Sequence, residues 1–537
     1  MAIRFQARCF CLLLSALGAF LLLSGCNIRV EDTLDDGGTS ASGGTTGGQQ
    51  GDEGVDPETL LTSAIEVLSG ARRGPDVYRL AADRLNYYFR TRPPSERQKY
   101  AVPAAVVDEL RQRLRPQLLA RVTRSQFDAA DGLYIGTQII LRRVVEKVAA
   151  GKQGIQVAEA LFEWTIRSAP TLKADRERDS VAPLFYVLMA GHGTGTERAW
   201  LLHDMLMQMG IPACVLAVPV GEDDQAELVP WCVGVVVDSR MYLFDVWRLI
   251  PLHLPNGQLA SLTDLANNPR LLEELQSVGD DYPPVSENLD QIVAWIGTSP
   301  ECWSTRMRHL EARLAGAHKV RLTLDMPSLV EAVRTAGGAA IASVELWPAP
   351  NEAVLTLRTR TGQEMLMELL GPASLPPVQE ARLYHLLGDY DTARQQYLDL
   401  REPPELKGKL PEQFERLRQV VREYATYAIA QLKADEGDWR IALNWFTRSY
   451  LQRYGKQATW APGAYVAAGI CLEHMGETKR AAQWYEQADA QAAVPELTYR
   501  LRWLRHRYHE PKAADASQTD SQPSPSAVAV PDGAGDK

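Results

Sequence analysis

Residues 194–220 read TGTERAWLLHDMLMQMGIPACVLAVPV and contain, in succession, the signals for a helix, a sharp turn and a strand. Thr194 followed three residues later by Glu197 is typical of a capping box, so we expect a helix to begin there. The helix should run to about Met209, because Gly210-Ile-Pro follows it. The apolar run from Ala213 to Val220 then predicts a strand.

Further secondary structure is predicted on both sides of this unit. Two strands should follow it, Trp231 to Val237 and Met241 to Val246, joined by the turn Asp238-Ser-Arg240. Apolar residues at helical spacing predict helices throughout 56–185, for example in 158–167. Beyond the strands, we expect helices at 261–276, 288–296 and 327–336, and strands at 320–324, 341–347 and 353–358.

The segment from about 158 to 250 resembles the core of the transglutaminase-like superfamily, which has a papain-like fold. Four motifs carry the resemblance: Phe162-Glu-Trp-Thr-Ile-Arg, Gly210-Ile-Pro-Ala, Trp231-Cys-Val-Gly-Val-Val-Val and Tyr242-Leu-Phe-Asp. The resemblance implies a cysteine nucleophile at the start of the helix that ends at Gly210. It also implies a histidine on the first following strand and an aspartate on the second.

The residues at these three positions depart from the family. The nucleophile position falls at Gly195, the histidine position at Pro230 (or at Trp231 if the register slips by one), and only Asp245 is kept. Neither glycine nor proline supplies a nucleophile or a base, so the mechanism of an activated thiolate is not available here. We expect Asp245 to be structural, accepting backbone hydrogen bonds.

Three other residues could replace the missing groups, but a structural role fits each better. Thr196 carries a hydroxyl near the nucleophile position, although its neighbourhood fits helix capping. His192 lies in a glycine-rich loop with no cysteine after it, so we expect it to face solvent. Cys214 follows the turn on a strand, where a small core residue is expected.

The C-terminal part of the chain contains three similar stretches, in which an alanine lies five and an aromatic residue nine positions after a glycine. Such spacing is typical of helical hairpins, since glycine permits the turn and alanine a close helix contact. The stretches resemble the tetratricopeptide repeat, which implies binding of a protein or peptide partner. A generic bundle of helical hairpins remains the alternative, because the repeat spacing is irregular. The stretches begin at Gly388, Gly437 and Gly476.

The N-terminus is typical of an exported lipoprotein. A basic start and an apolar run lead to Leu23-Ser-Gly-Cys26, which resembles the lipobox of bacterial lipoproteins. The resemblance implies cleavage before Cys26 and acylation of that cysteine. The protein would then be lipid-anchored in the cell envelope, facing the periplasm or the cell exterior. Asn27 is compatible with the outer membrane.

Composition narrows the remaining classes of function. The net charge is -10 and no basic stripe is present, so we expect no nucleic-acid partner. Beyond the first 26 residues the cysteines are Cys214, Cys232, Cys302 and Cys471, without metal-ligand spacing, so we expect neither a metal nor a cofactor. A Cys214–Cys232 disulfide is one alternative, and two buried free thiols are the other.

These patterns predict an α+β protein with N-terminal helices, a transglutaminase-like (papain-like) core and C-terminal all-α hairpins. Three hypotheses of function follow: a non-catalytic binding or scaffolding lipoprotein, an active cysteine transferase or peptidase acting on envelope proteins or peptidoglycan peptides, and a purely structural envelope protein. The expected divisions are signal peptide 1–25, Gly/Ser-rich disordered tether 26–55, helices with the core 56–300, small α+β subdomain 301–372, helical repeats 373–512 and disordered tail 513–537.

We predict that Cys26→Ser abolishes lipidation, because the substitution removes the thiol that accepts the acyl chain. Metabolic labelling with a palmitate analogue should give no signal, and unprocessed precursor should accumulate. Cys214→Ser is the matched control and should label normally. Persistent acylation of the Cys26→Ser protein would refute the assignment.

Overall fold

The structure is a computed structural model that describes residues 56–508, except 72, 222–225, 269, 277–281, 358, 403–410 and 493. The predicted signal peptide 1–25, Cys26 with the rest of the tether 26–55, and the tail 513–537 lie outside the described residues. Within the described ranges, no helix combines the length and the apolar composition needed to cross a membrane.

The fold is α+β, with helices surrounding one sheet, as the sequence predicts. The strands are β1 Ala213–Val220, β2 Glu227–Val237, β3 Arg240–Asp245, β4 Ile250–Pro251, β5 Ile292–Ile296 and β6 Ile341–Leu346. The α-helices are α1 Pro57–Ser69, α2 Pro75–Arg90, α3 Pro94–Lys99, α4 Ala104–Arg113, α5 Pro116–Thr123, α6 Ala129–Val148, α7 Ile155–Ser168, α8 Lys173–Arg176, α9 Leu184–Ala190, α10 Gly195–Met209, α11 Leu262–Ala266, α12 Arg270–Gln276, α13 Thr305–Glu311, α14 Met326–Gly337, α15 Pro348–Thr356, α16 Arg360–Leu370, α17 Pro376–Leu387, α18 Tyr390–Arg401, α19 Glu412–Asp435, α20 Trp439–Asn444, α21 Gln452–Tyr454, α22 Ala461–His474, α23 Thr478–Ala492 and α24 Glu496–Tyr508.

Helix α10 and strand β1 occupy the positions that the sequence predicts. The Thr194 hydroxyl accepts a hydrogen bond from the backbone N–H of Glu197 at 3.3 Å. The Glu197 carboxylate in turn accepts one from the backbone N–H of Thr194 at 2.8 Å. This reciprocal pair satisfies two backbone donors that the start of a helix would otherwise leave free. The predicted capping box is therefore confirmed.

The six strands form one sheet in the order β4-β3-β2-β1-β5-β6, antiparallel except for β5 and β6, which are parallel. Side chains of the central strands β1, β2 and β3 point to two cores on opposite faces of the sheet. Val215, Val233 and Phe244 belong to the core that includes α7 and α10. Cys214 and Met241 belong to the opposite core, which includes α1, α2 and α14.

Three predicted elements are wrong. Most of 288–296, predicted as a helix, forms strand β5, because Ile292–Ile296 is a short apolar run whose periodicity fits either structure. Residues 320–324 form no strand, since the Glu311 carboxylate accepts the backbone N–H groups of Leu322 (2.7 Å) and Thr323 (2.8 Å). The predicted strand at 353–358 is largely covered by helix α15, which Pro348 begins.

The segment 301–372 contributes to the common sheet and has no sheet of its own. Of its three predicted strands only β6 is present, and it pairs with β5, for example Ala294 with Val344. The predicted helix at 327–336 is present as α14. Within the described residues this segment therefore extends the central sheet by one edge strand.

The C-terminal segment forms helical hairpins at the three predicted places. Gly388, Gly437 and Gly476 stand at the turns with φ of +84°, +80° and +72°, a backbone conformation that favours glycine. The following alanine and aromatic residue are fully buried in each hairpin, as the spacing predicts. The six residues are Ala393, Tyr397, Ala442, Phe446, Ala481 and Tyr485.

A buried charge network joins these hairpins to helix α7. The Arg167 guanidinium donates to the Asp435 carboxylate at 2.6 Å and to the Gln431 side chain at 3.1 Å. His385 of α17 contacts the second Asp435 oxygen at 2.8 Å. Burial alone would raise the pKa of Asp435, but Arg167 and His385 outweigh this effect and hold the pKa well below its usual range. The ionised carboxylate therefore stabilises the folded protein.

We predict that Asp435→Asn lowers the free energy of unfolding at pH 7 by about 3–5 kcal/mol, because it leaves Arg167 buried without its counter-charge. Asp391→Asn is the matched control: its carboxylate pairs with Arg394 but is 92% exposed, so the expected change is about 0.5 kcal/mol or less.

The difference in the free energy of unfolding between the unaltered protein and Asp435→Asn should also depend on pH. A carboxylate with a lowered pKa contributes stability above its unfolded pKa of about 3.9, and this is lost as the pH falls through the folded value. Denaturant unfolding between pH 7 and pH 3 should therefore show that this difference in stability becomes smaller below about pH 4. A difference that is constant over this range would contradict the role assigned to Asp435.

Candidate functional site

Gly195, to which the sequence resemblance assigns the nucleophile position, is the first residue of α10. A Cβ at this position would lie 2.1 Å from Cδ1 and 2.5 Å from Nε1 of the Trp247 indole. These distances are far inside van der Waals contact, so the indole fills the space that a nucleophilic side chain would need. Glycine is required here by the close approach of Trp247.

The histidine position also lacks a base. Pro230 lies on β2 and pairs with Ala217 of β1, next to an irregularity in the register that leaves Trp231 without a partner. The Trp231 side chain is fully buried and donates its indole N–H to the Tyr282 hydroxyl at 2.9 Å. Neither possible register therefore brings a proton acceptor to this position.

Asp245 is buried at the end of β3, where it stabilises the turn that follows. Its Oδ1 accepts hydrogen bonds from the backbone N–H groups of Trp247 (3.0 Å) and Arg248 (2.9 Å). Burial raises the pKa of Asp245, while the nearby Arg248 guanidinium and these backbone donors oppose the increase. The expectation that Asp245 accepts backbone hydrogen bonds is confirmed. By holding this turn, Asp245 positions Trp247 over Gly195.

His192 is buried, with only 8% of its surface exposed, so the expectation that it faces solvent is wrong. Its Nδ1 lies 2.9 Å from the Asp175 carboxylate and its Nε2 lies 3.1 Å from the carbonyl oxygen of Leu369. Both ring nitrogens lie within hydrogen-bond distance of an oxygen atom, and neither faces an open space. The ring is thus committed to structural bonds and has no nitrogen left to act as a base.

Glu197 is the central acceptor at the start of α10. Its carboxylate accepts hydrogen bonds from both terminal nitrogens of Arg178, at 2.5 and 2.6 Å, and from the backbone N–H of Ala182 at 2.5 Å. Arg178 also donates to Asp175 at 3.3 Å, which connects Glu197 to His192. At the first turn of α10, Arg178 therefore bridges the carboxylates of Glu197 and Asp175.

The sequence interpretation identified Glu197 but missed three residues of this region: Trp247, Asp175 and Arg178. Arg178 and Asp175 belong to the charged run 173–179, which is usually typical of a solvated surface. Trp247 follows Asp245 by two residues, and this proximity in sequence is the one signal that could have indicated its place near the site. Only tertiary contacts bring the three residues to the start of α10.

The cysteines offer no activated thiol among the described residues. Cys214, Cys232, Cys302 and Cys471 are all free and buried, so the alternative of free thiols holds and the Cys214–Cys232 disulfide is absent. Burial raises the pKa of Cys214 to about 12 and that of Cys471 to about 12. It also raises the pKa of Cys232 and Cys302 above the usual range. Protonated, buried thiols are poor nucleophiles and poor metal ligands.

The described residues contain no group of three or more His, Cys, Asp or Glu side chains placed to hold a metal ion. The chain matches no family model, no curated protein and no solved structure. The geometry of the site is therefore the main guide to what the residues around Gly195 can do.

We predict that Gly195→Ala destabilises the protein by about 1–3 kcal/mol, because the new methyl group forces Trp247 out of its place. Alanine is normally better than glycine in a helix by about 0.5–1 kcal/mol, so a loss of stability specifically reports the contact with Trp247. In a Trp247→Ala background the same change should be neutral or stabilising. Denaturant unfolding of the two single variants and the double variant completes the cycle. Strictly additive effects would mean that the two residues are not in contact.

Proposed function

We propose that this chain is a lipid-anchored protein of the cell envelope that binds a protein or peptide partner or serves as a scaffold. In this proposal, the core is a transglutaminase-like framework that has lost its chemistry. The observation that carries the proposal is the packing of Trp247 on Gly195, because an indole in the nucleophile position excludes both a reactive side chain and a substrate carbonyl at that point.

The resemblance to the tetratricopeptide repeat supports binding through the helical hairpins 373–512. Much of one side of these hairpins already packs against α7, as the contacts of Arg167 with Gln431 and Asp435 illustrate. Other residues of the hairpins are exposed to solvent and form an outer surface. It includes Ile441 of α20, which is 47% exposed, and the half-buried Trp445, whose ring lies under the Arg401 guanidinium at 5.1 Å. We assign partner binding to this outer surface.

The backbone of the second hairpin adds support. Residues Trp445–Leu451 form a π-helix directly after α20. Such segments are rare and are often found at functional sites, since the wider turn costs stability and shifts the side chains that follow. Here the π-helix begins at Trp445, beside the exposed Ile441.

Membrane attachment in this proposal rests on the lipobox ending at Cys26. The 26–55 tether would separate the acyl chains from the folded part that begins at Pro57. The partner is then expected among envelope proteins or peptides, in the periplasm or at the cell exterior.

The test is site-specific photo-crosslinking in cells with the full-length protein. A crosslinker at the exposed Arg448 should capture a defined envelope partner, and Ile441→Asp should reduce that product at least fivefold. Leu80→Asp is the matched control, because Leu80 is 44% exposed but lies on α2, away from the hairpins. It should leave the product unchanged, and melting curves should show that both variants are folded.

Two results would contradict the proposal. Equal loss of the product in both variants would mean that the outer surface of the hairpins is not the binding surface. Amine-transfer or amidase activity of the unaltered protein, abolished by Cys214→Ala or Thr196→Ala, would mean that the core is catalytic.

A further inference from the structure

Arg73 carries a buried positive charge for which the described residues provide no partner. All three of its guanidinium nitrogens are closed off from solvent and none makes a hydrogen bond. The residue directly precedes Gly74, the N-cap of α2. Burial lowers the pKa of Arg73, and the nearby Tyr78 phenol opposes this effect. Among the described residues, no carboxylate compensates the charge.

Two deeply buried arginines of this protein have a counter-charge. Arg167 pairs with Asp435 at 2.6 Å, and Arg306 pairs with Asp131 at 2.7 Å. A buried charge without a counter-charge or hydrogen bonds is strongly unfavourable, so native proteins rarely retain one without a reason.

Arg198 is also buried without an ion pair, but it donates a hydrogen bond to the carbonyl oxygen of Trp247 at 3.5 Å. Arg73 differs because all three of its guanidinium nitrogens lack a hydrogen bond. A bound anion would compensate its charge.

The guanidinium lies in a setting that other features make suitable for an anion. Nη1 of Arg73 is 3.0 Å from the point where a Cβ on Gly136 would stand, so this glycine of α6 leaves the space that the guanidinium occupies. The Tyr78 hydroxyl, beside Arg73, is also buried and without a hydrogen-bond partner. Two unsatisfied donors, one charged and one neutral, thus stand together between α2 and α6.

Two further groups complete this setting. Tyr186 of α9 lies near enough to Tyr78 to raise the pKa of its phenol, and it is half-buried, at the boundary with solvent. The N-cap residue Gly74 provides no side chain to bond the first amides of α2, and the start of a helix favours negative charge. Asp76, in the first turn, does not fill this role, since its side chain is 90% exposed and pairs with Arg79.

We propose that Arg73 and Tyr78, with Tyr186 at the entrance, form a binding site for a small carboxylate ligand. A carboxylate presents two oxygens to the planar guanidinium fork and accepts a third hydrogen bond from a phenol. Its single negative charge matches the single positive charge of Arg73. A phosphate carries more charge than one guanidinium balances, and no second cation acts on Arg73.

The test uses the full-length protein and acetate as the probe, at constant ionic strength maintained with chloride. Acetate should raise the melting temperature in a saturable manner, and calorimetric titration should show one site. Arg73→Met should weaken acetate binding at least tenfold. It should also raise the melting temperature without acetate, because a side chain of similar length then replaces an uncompensated charge. Arg79→Met is the matched control, an exposed arginine in α2, the helix that follows Arg73, and should bind acetate normally.

Other results would contradict the binding site, the class of ligand or the role of Tyr78. Acetate shifts of equal size in the unaltered protein and in Arg73→Met, or no shift in either, would overturn the proposal. Phosphate binding as tight as acetate binding would overturn the assignment to a carboxylate. Tyr78→Phe removes only the hydroxyl and should weaken acetate binding severalfold. An unchanged affinity in Tyr78→Phe would overturn the part assigned to this phenol.

Discussion

The contact between the Trp247 indole and the backbone of Gly195 is the constraint on which the arrangement of the central region depends. It brings the first turn of α10 against the chain that leaves β3, and Asp245 holds that chain through two backbone hydrogen bonds. With the start of α10 in this place, Glu197 can reach Arg178 and Ala182. A larger residue at position 195 would separate these elements, since closely packed interiors have no room to absorb it.

Buried polar pairs connect parts of the chain whose relative position hydrophobic packing alone would fix less exactly. The Arg167–Asp435 pair joins α7 to the hairpins, and the His192–Asp175 pair joins the loop before α10 to the start of α8. Such pairs add little net stability compared with apolar packing, but breaking one is costly, because the remaining charge is left without a partner. They therefore favour one relative position of the sheet and the hairpins over neighbouring ones.

Much of the local structure follows from short-range signals. Thr194 and Glu197 predict the start of α10, Gly210-Ile-Pro predicts its end, and the alanine and aromatic positions of the hairpins are buried as their spacing indicates. The errors arise where a segment is short and apolar. Ile292–Ile296 was predicted as part of a helix and is a strand, because its pairing with β1 and β6 overrides a pattern that fits either structure. The same limit applies to 353–358, which lies mostly in helix α15.

The sequence by itself determined the α+β class, the capped helix, the strands β1 to β3, the hairpin turns, and the absence of a cysteine at 195 and a histidine at 230. Each depends on neighbours along the chain, whose spacing a sequence displays directly. The tertiary structure decided that Trp247 covers Gly195, that His192 is buried against Asp175, and that the Arg73 guanidinium lies buried without a hydrogen bond. These features depend on residues far apart in the chain that folding brings together. Their energies come from burial and charge pairing, which no local pattern records.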